Sequence, residues 1–147
     1  MCGIVGFVNL TKDISNQKNT IIEMNNSIKK RGPDEDGYYY DKHAVLGHKR
    51  LIVIDPKGGK QPMSVRFNNS VYTIVYNGQL YNTSELRSEL EDFGFDFYTY
   101  SDTEVLLKSY IHWGNDVVKK LNGIFGFAIW NSSKHELFVC RDHFGVK

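Results

Sequence analysis

The chain begins with a strand. Cys2 to Val8 is β-branched and apolar, interrupted by glycine and closed by polar Asn9, the pattern of a strand that enters the core at the very N-terminus. Cys2 then sits at a strand start, directly behind Met1. Removal of Met1 would leave a residue carrying both a thiol and a free α-amino group, a nucleophile and a base that as classes ionise near neutral pH. By itself, a cysteine at position two reads rather as a small apolar residue opening an ordinary strand. The remainder of the chain has to decide between the two.

Past this strand, Ile21, Met24 and Ile28 recur at helical spacing, and Arg31-Gly32-Pro33 ends that helix. Tyr38 to Tyr40, His43 to Gly47, Leu51 to Ile54 and Val71 to Tyr76 are predicted strands, with residues 55–59 as a loop. Asn82 and Ser101 each stand three residues before a glutamate, Glu85 and Glu104, and so predict two helix starts of the capping-box type. Leu86, Leu90 and Phe93 would face inward on the first of these helices. Val105, Leu106, Tyr110, Ile111 and Trp113 form the apolar face of the second, with Gly114 just past its end. A short helix is expected near Val117 to Leu121, then strands over Ile124 to Trp130 and Glu136 to Cys140 around the turn at 131–134. No helix stop, polar tail or linker precedes Lys147, so the polypeptide is expected to be cut within a motif.

Composition removes several function classes. With 147 residues, 41% hydrophobic and 24% charged, the chain suits one domain with a real core. The net charge is +1 and the single basic cluster, Lys29-Lys30-Arg31, falls at a helix end that favours cations, so nucleic acid is not an expected partner. The run Ile4 to Leu10 is too short to span a membrane and lacks the preceding positive charges of a signal peptide, which makes the cytoplasm the default location. Two cysteines give no disulfide framework or zinc spacing, and Cys140 in the run 137–140 reads as a buried structural thiol. The five histidines show no metal-ligand pattern, and Asp34-Glu35-Asp36-Gly37, which lacks the later ligands of a calcium loop, reads as a turn.

Seven ordered motifs carry the chemistry: Cys2-Gly3-Ile4, Arg31-Gly32-Pro33-Asp34, Arg50-Leu51, Gln61-Pro62, Tyr76-Asn77-Gly78, Ser101-Asp102-Thr103-Glu104 and Arg141-Asp142-His143-Phe144-Gly145. Together, from Met1 to Lys147, they strongly resemble the glutaminase domain of the glutamine-hydrolysing asparagine synthetases. Amidotransferases that make glucosamine phosphate or phosphoribosylamine share the N-terminal cysteine, but Arg-Gly-Pro-Asp and Ser-Asp-Thr-Glu point to the asparagine-synthetase branch. The resemblance implies an α+β fold, the four-layer αββα sandwich of the N-terminal-nucleophile hydrolases, incomplete at its C-terminal end. Periodicity alone would not show that architecture.

The same resemblance implies roles residue by residue. Cys2 Sγ attacks the side-chain amide carbon of glutamine while its own α-amino group shuttles the proton, so Met1 must leave first. Asn77 Nδ2 and the Gly78 N–H receive the oxyanion, where loss of one donor typically costs ~10² to 10³ in kcat. Without the matching motifs, Asn77-Gly78 would read as a plain turn. Arg50 pairs with the substrate α-carboxylate, and backbone groups near Val53 and Ile54 line the same pocket. Asp102 accepts the substrate α-ammonium, although its place behind Ser101 also suits simple helix N-terminal electrostatics. Arg31 and Asp34 order the loop near the nucleophile.

One position departs from the resemblance. Where the family carries Glu after Asn-Gly, this chain has Gln79. Exchanging a charged acceptor for a neutral one implies glutamine binding weaker by roughly tenfold. Length departs too: the family continues into an ATP-using synthetase domain, and no P-loop or Ser-Gly-Gly-Leu-Asp run is found here. ATP and Mg are therefore expected only in that absent domain, no metal or cofactor is expected in this one, and its expected partners are glutamine and the C-terminal synthetase domain of the same longer chain. A homodimer is left open. The competing readings are a non-catalytic, truncated glutamine-binding module, an amidotransferase domain serving another acceptor carboxylate, and a purely structural or interaction module with an inert Cys2.

Overall fold

Alternation along single strands builds the layers. The computed structural model describes residues 1–147. Its elements are β1 (Gly3–Val8), α1 (Lys18–Ser27), β2 (Glu35–Tyr40), β3 (Ala44–Arg50), β4 (Met63–Phe67), β5 (Ser70–Leu80), α2 (Thr83–Asp92), α3 (Asp102–Trp113), β6 (Gly123–Asn131) and β7 (Glu136–Arg141). The strands form two antiparallel sheets, β1-β3-β2 and β4-β5-β6-β7. Successive side chains of a strand point to opposite faces. In β3, Val45 therefore packs with Ile14 and Ile21 on the α1 side, whereas Ala44 and Leu46 pack on Val75 and Trp130 of the second sheet. The far face of that second sheet, with Ile74, Tyr76, Phe125, Phe127 and Ile129, is covered by Leu86 and Leu90 of α2 and Val105, Leu106 and Tyr110 of α3. The layer order is helix, sheet, sheet, helix.

Several elements differ from the sequence-based expectation. Residues 51–54 are not a strand: the β1 and β2 ladders both stop beside the end of β3, at Gly3↔Lys49 and Glu35↔Arg50, so a longer β3 would find no partner. The chain instead turns into a loop that Asp55 gathers by accepting the N–H groups of Gly58 and Tyr100, each at 2.8 Å. Strand β4 was not expected. It pairs with β5 across Asn68-Asn69, whose φ angles of 44° and 59° make the left-handed turn that short hairpins use. Glu35 to Gly37 belong to β2 rather than to a turn.

Asn82 does not cap α2 through its side chain, which instead donates to Lys120 O at 2.8 Å and accepts from Asn122 N–H at 3.0 Å. Ser101 does cap α3, accepting from Thr103 N–H at 3.1 Å, but Glu104 turns away from it toward Lys108 and the N–H groups of Tyr98 and Thr99. Phe93, lying beyond the last turn of α2, is exposed. Cys140 is only half-buried, against the helix-side core.

Candidate active site

The site forms where β5 outlasts its neighbour. β5 has 11 residues and β4 has 5, and their pairing ends at Met63↔Ile74. Beyond Ile74, that edge of β5 has no strand beside it. The bonds from Tyr81 N–H to Asn122 O and from Ser132 N–H to Val71 O set the phase of the ladder on the β6 side. Odd-numbered residues of β5 therefore bond β6, and the N–H groups of Tyr76, Gly78 and Leu80 point to the open edge. Tyr76 N–H is taken by Gln61 Oε1 at 2.6 Å and Leu80 N–H by Asp102 Oδ2 at 3.3 Å. Between them, the Gly78 N–H is left for a ligand. Glycine is required there, since a Cβ would lie 2.4 Å from Ile124 O and 2.7 Å from Phe125 Cα of β6.

This edge borders a cavity of about 180 Å³, the scale of a single small metabolite. Cys2, Arg50, Val53, Ile54, Asn77, Gly78, Gln79 and Asp102 all line it. Every residue singled out from the sequence as a site candidate is thus brought to one place. The β1 start presents Cys2 Sγ to the backbone of Leu51, accepting its N–H at 3.4 Å and facing its carbonyl oxygen at 3.6 Å. Arg31 Nε donates to Cys2 O at 3.3 Å, and Asp34 Oδ2 accepts Ile52 N–H at 2.7 Å. The Arg-Gly-Pro-Asp segment therefore braces the Cys2 end of β1 and the loop beside it. Met1 still precedes Cys2 and also lines the cavity.

Two buried charges of opposite sign face the same space. Asp102 is 7% exposed, takes part in no ion pair, and is held by Tyr76 OH at 2.8 Å and by Leu80 N–H. Burial raises its pKa above the ordinary carboxylate value against the lowering effect of those bonds. Arg50 is 4% exposed, and its four terminal N–H positions are all engaged. Nη1 donates to Glu35 Oε2 at 2.6 Å and Pro56 O at 3.1 Å, and Nη2 to Asp55 O at 2.7 Å and Ile54 O at 3.4 Å. An incoming carboxylate finds only the Nε–H without a partner, and a two-bond contact with the Nη atoms would displace part of this set.

The sequence did not single out Glu35, Tyr76 or Gln61 for these contacts. In the sequence Glu35 is only an acid within an expected turn, and its pairing with Arg50 follows from the Glu35↔Arg50 register. Tyr76 was recognisable as a strand residue, but its hydroxyl reaches Asp102 across 26 positions of sequence.

Comparison with known proteins agrees with this geometry. A family profile described as a glutamine amidotransferase domain matches residues 1–147. The chain is 49% identical over its whole length to asparagine synthetase [glutamine-hydrolyzing] 3 of Bacillus subtilis (strain 168), covering 24% of that protein. It is 34% identical over 99% of its length to asparagine synthetase B [glutamine-hydrolyzing] of Escherichia coli (strain K12), covering 26% of it. The chain thus spans about a quarter of the length of these relatives. Among solved structures, the glutamine phosphoribosylpyrophosphate amidotransferase of B. subtilis, complexed with ADP and GMP, is similar at a TM-score of 0.62 and 30% identity, over 74% of this chain and 25% of that one. A thiol at a strand start, an open strand edge and a profile match from end to end lead to one conclusion: the chain belongs to the glutamine amidotransferase domain family.

Proposed function

We propose that the chain hydrolyses glutamine to glutamate and ammonia. One observation carries the proposal: a single small cavity is lined by Cys2, by a buried, unpaired acid and by a buried guanidinium. Asp102 and Arg50 suit the α-ammonium and α-carboxylate of a free amino acid, which leaves Cys2, Asn77 and Gly78 for its side chain. Once Met1 is removed, the α-amino group of Cys2 takes the thiol proton and Sγ attacks the side-chain amide carbon. The oxyanion is received by Asn77 Nδ2 and Gly78 N–H. The α-ammonium returns the proton to the departing nitrogen, ammonia leaves, and a γ-glutamyl thioester remains. Water attacks that thioester, again with the α-amino group as base, releasing glutamate and restoring the thiol.

In a longer chain like its relatives, this domain would deliver ammonia to a C-terminal synthetase domain that amidates aspartate, and ATP and Mg would be needed only there. No helix is long and apolar enough to cross a membrane, and the unpaired Cys2 and Cys140 suit a reducing, cytoplasmic setting. The test is an intact mass spectrum after incubation with a diazo-ketone analogue of glutamine, read beside ammonia release. A mass lacking Met1 and carrying one adduct, absent from Cys2→Ala, supports the reading. Glutamine binding without adduct or ammonia would favour the second reading, a non-catalytic glutamine-binding module.

A further inference from the structure

We infer that Gln61 is a positioning residue of the glutaminase site: its side-chain amide holds the Tyr76–Asn77 peptide so that the donors at Asn77 and Gly78 stay aimed at the oxyanion. The inference rests on the reading just given, and it begins from the gap in β4. If β4 extended two residues past Met63, a backbone amide would stand where the Gln61 side chain stands. Instead Gln61 Oε1 accepts Tyr76 N–H at 2.6 Å and Gln61 Nε2 donates to Tyr76 O at 3.1 Å. The carboxamide copies the two-bond pairing of a strand neighbour for one residue and then stops. Gly78 N–H, two positions on, remains unpaired.

Only glutamine satisfies every partner. The second Nε2 hydrogen reaches Thr103 Oγ1 at 3.3 Å, in the first turn of α3 and next to Asp102. One amide thus ties the strand carrying the oxyanion donors to the helix carrying the buried acid. Flipping it would set an N–H against Tyr76 N–H and an oxygen against Tyr76 O, so the partners fix its orientation. A glutamate lacks both donors, and an asparagine is one methylene short. The carbonyl it holds is gripped from the other side by buried His48, whose Nε2 lies 3.1 Å from Tyr76 O. A carbonyl can only accept, so that nitrogen carries the proton, and burial keeps the ring neutral by pushing its pKa down to about 4. Close backbone packing seats Gln61 itself: a Cβ at Gly37 of β2 would lie 1.7 Å from Gln61 O.

The test uses Gln61→Met, which keeps the volume and removes all three bonds, and Gln61→Glu, which keeps only the acceptor. Each is made alone and together with Asn77→Ala. Oxyanion donors act chiefly in the transition state, so Gln61→Met should lower kcat by about 10- to 100-fold with KM moved by less than about threefold. Gln61→Glu should fall between it and the parent. In the Asn77→Ala background the same change should cost clearly less than it does in the parent, because one of the two donors it positions is already gone. Losses that simply multiply, or a change confined to KM, would overturn the inference. Amide hydrogen exchange supplies a readout independent of turnover: Tyr76 N–H should exchange at least about tenfold faster in Gln61→Met while the N–H groups of Val75 and Asn77, bonded to β6, do not change. Unchanged exchange at Tyr76 overturns the inference whether or not glutamine is hydrolysed. A parent chain that releases no ammonia refutes the glutaminase reading instead and leaves exchange to judge Gln61. If Gln61→Met does not fold, Gln61→Ala takes its place in both measurements.

Discussion

Replacing Asp102 with Asn should move stability and substrate affinity in opposite directions. Asp102 is buried, unpaired, and held by only two donors outside its own turn, Tyr76 OH and Leu80 N–H. Its pKa is raised in the folded protein, chiefly by burial. The sign follows from linkage: a group whose folded pKa lies above its unfolded value contributes stability at low pH that is lost as pH rises through the folded pKa. At neutral pH the ionised Asp102 therefore costs the fold free energy. An asparagine oxygen can accept the same two bonds without a buried charge, so Asp102→Asn should stabilise by about 0.5 to 2 kcal/mol, the usual return for relieving a functional site. For a chain of this size that amounts to roughly 2 to 8 °C in Tm. The substrate α-ammonium loses a charge-assisted partner worth about 1.5 to 3 kcal/mol, so KM for glutamine should rise about 10- to 100-fold. In the parent protein, KM should climb as pH falls through the raised Asp102 pKa, above the range in which exposed carboxylates titrate. Thermal unfolding and steady-state ammonia release, both at neutral pH, provide the two readouts. A lower Tm, or a KM within about twofold of the parent, would refute the reasoning.

Four further substitutions probe the surrounding structure. Gly78→Ala places a Cβ against the backbone of β6 and must push β5 outward, so kcat should drop about 100-fold and stability by about 1 to 3 kcal/mol; a kcat within threefold of the parent would contradict this. Gln79 is exposed, so Gln79→Glu gains only a screened attraction for the substrate ammonium, and KM should fall about two- to fivefold rather than tenfold; no decrease would remove the role. Glu35 is about one-third exposed (32%) and competes with the substrate carboxylate for Arg50, so Glu35→Gln should lower KM about two- to fivefold at constant kcat, whereas a higher KM would mean that Glu35 orients Arg50 instead. Lys108→Met removes the partner of buried Glu104, whose remaining bonds to Tyr98 and Thr99 soften the loss, so urea denaturation should show about 3 kcal/mol of destabilisation, and less than 1 would count against it.

The sequence reveals side-chain chemistry better than the ends of strands. Cys2, Arg50, Asn77 and Asp102 could be picked out because each belongs to a short ordered motif, and helices α1 and α3 because their apolar spacing repeats. Where β3 stops is a different kind of fact. Nothing in Leu51-Ile52-Val53-Ile54 opposes a strand; the segment is a loop because both neighbouring ladders end beside Lys49 and Arg50. Asn82 and Phe93 fail for a related reason. Local rules assign a cap to the one and a core place to the other, yet Asn82 is claimed by the backbone of Lys120 and Asn122, 38 and 40 residues on in the segment before β6, and Phe93 lies past the last turn of α2. The Glu35 to Arg50 pair is likewise a product of register, which no local pattern reports.

That same limit explains why the centre of the site could not be derived from its motifs alone. An unpaired strand edge inside a protein is a hazard, because free N–H and C=O groups cost stability when buried and attract foreign strands when exposed. Here the edge of β5 past Ile74 is closed residue by residue: Gln61 satisfies Tyr76, Asp102 satisfies Leu80, and only Gly78 is left open. Each closing group does a second task, since Gln61 also reaches Thr103 and Asp102 faces the cavity as its one unpaired acid. The short β4 and long β5 are therefore parts of the chemistry. A β4 extended to pair with residues 76–78 would satisfy the backbone groups of Tyr76 and Gly78 and leave no backbone donor for an oxyanion.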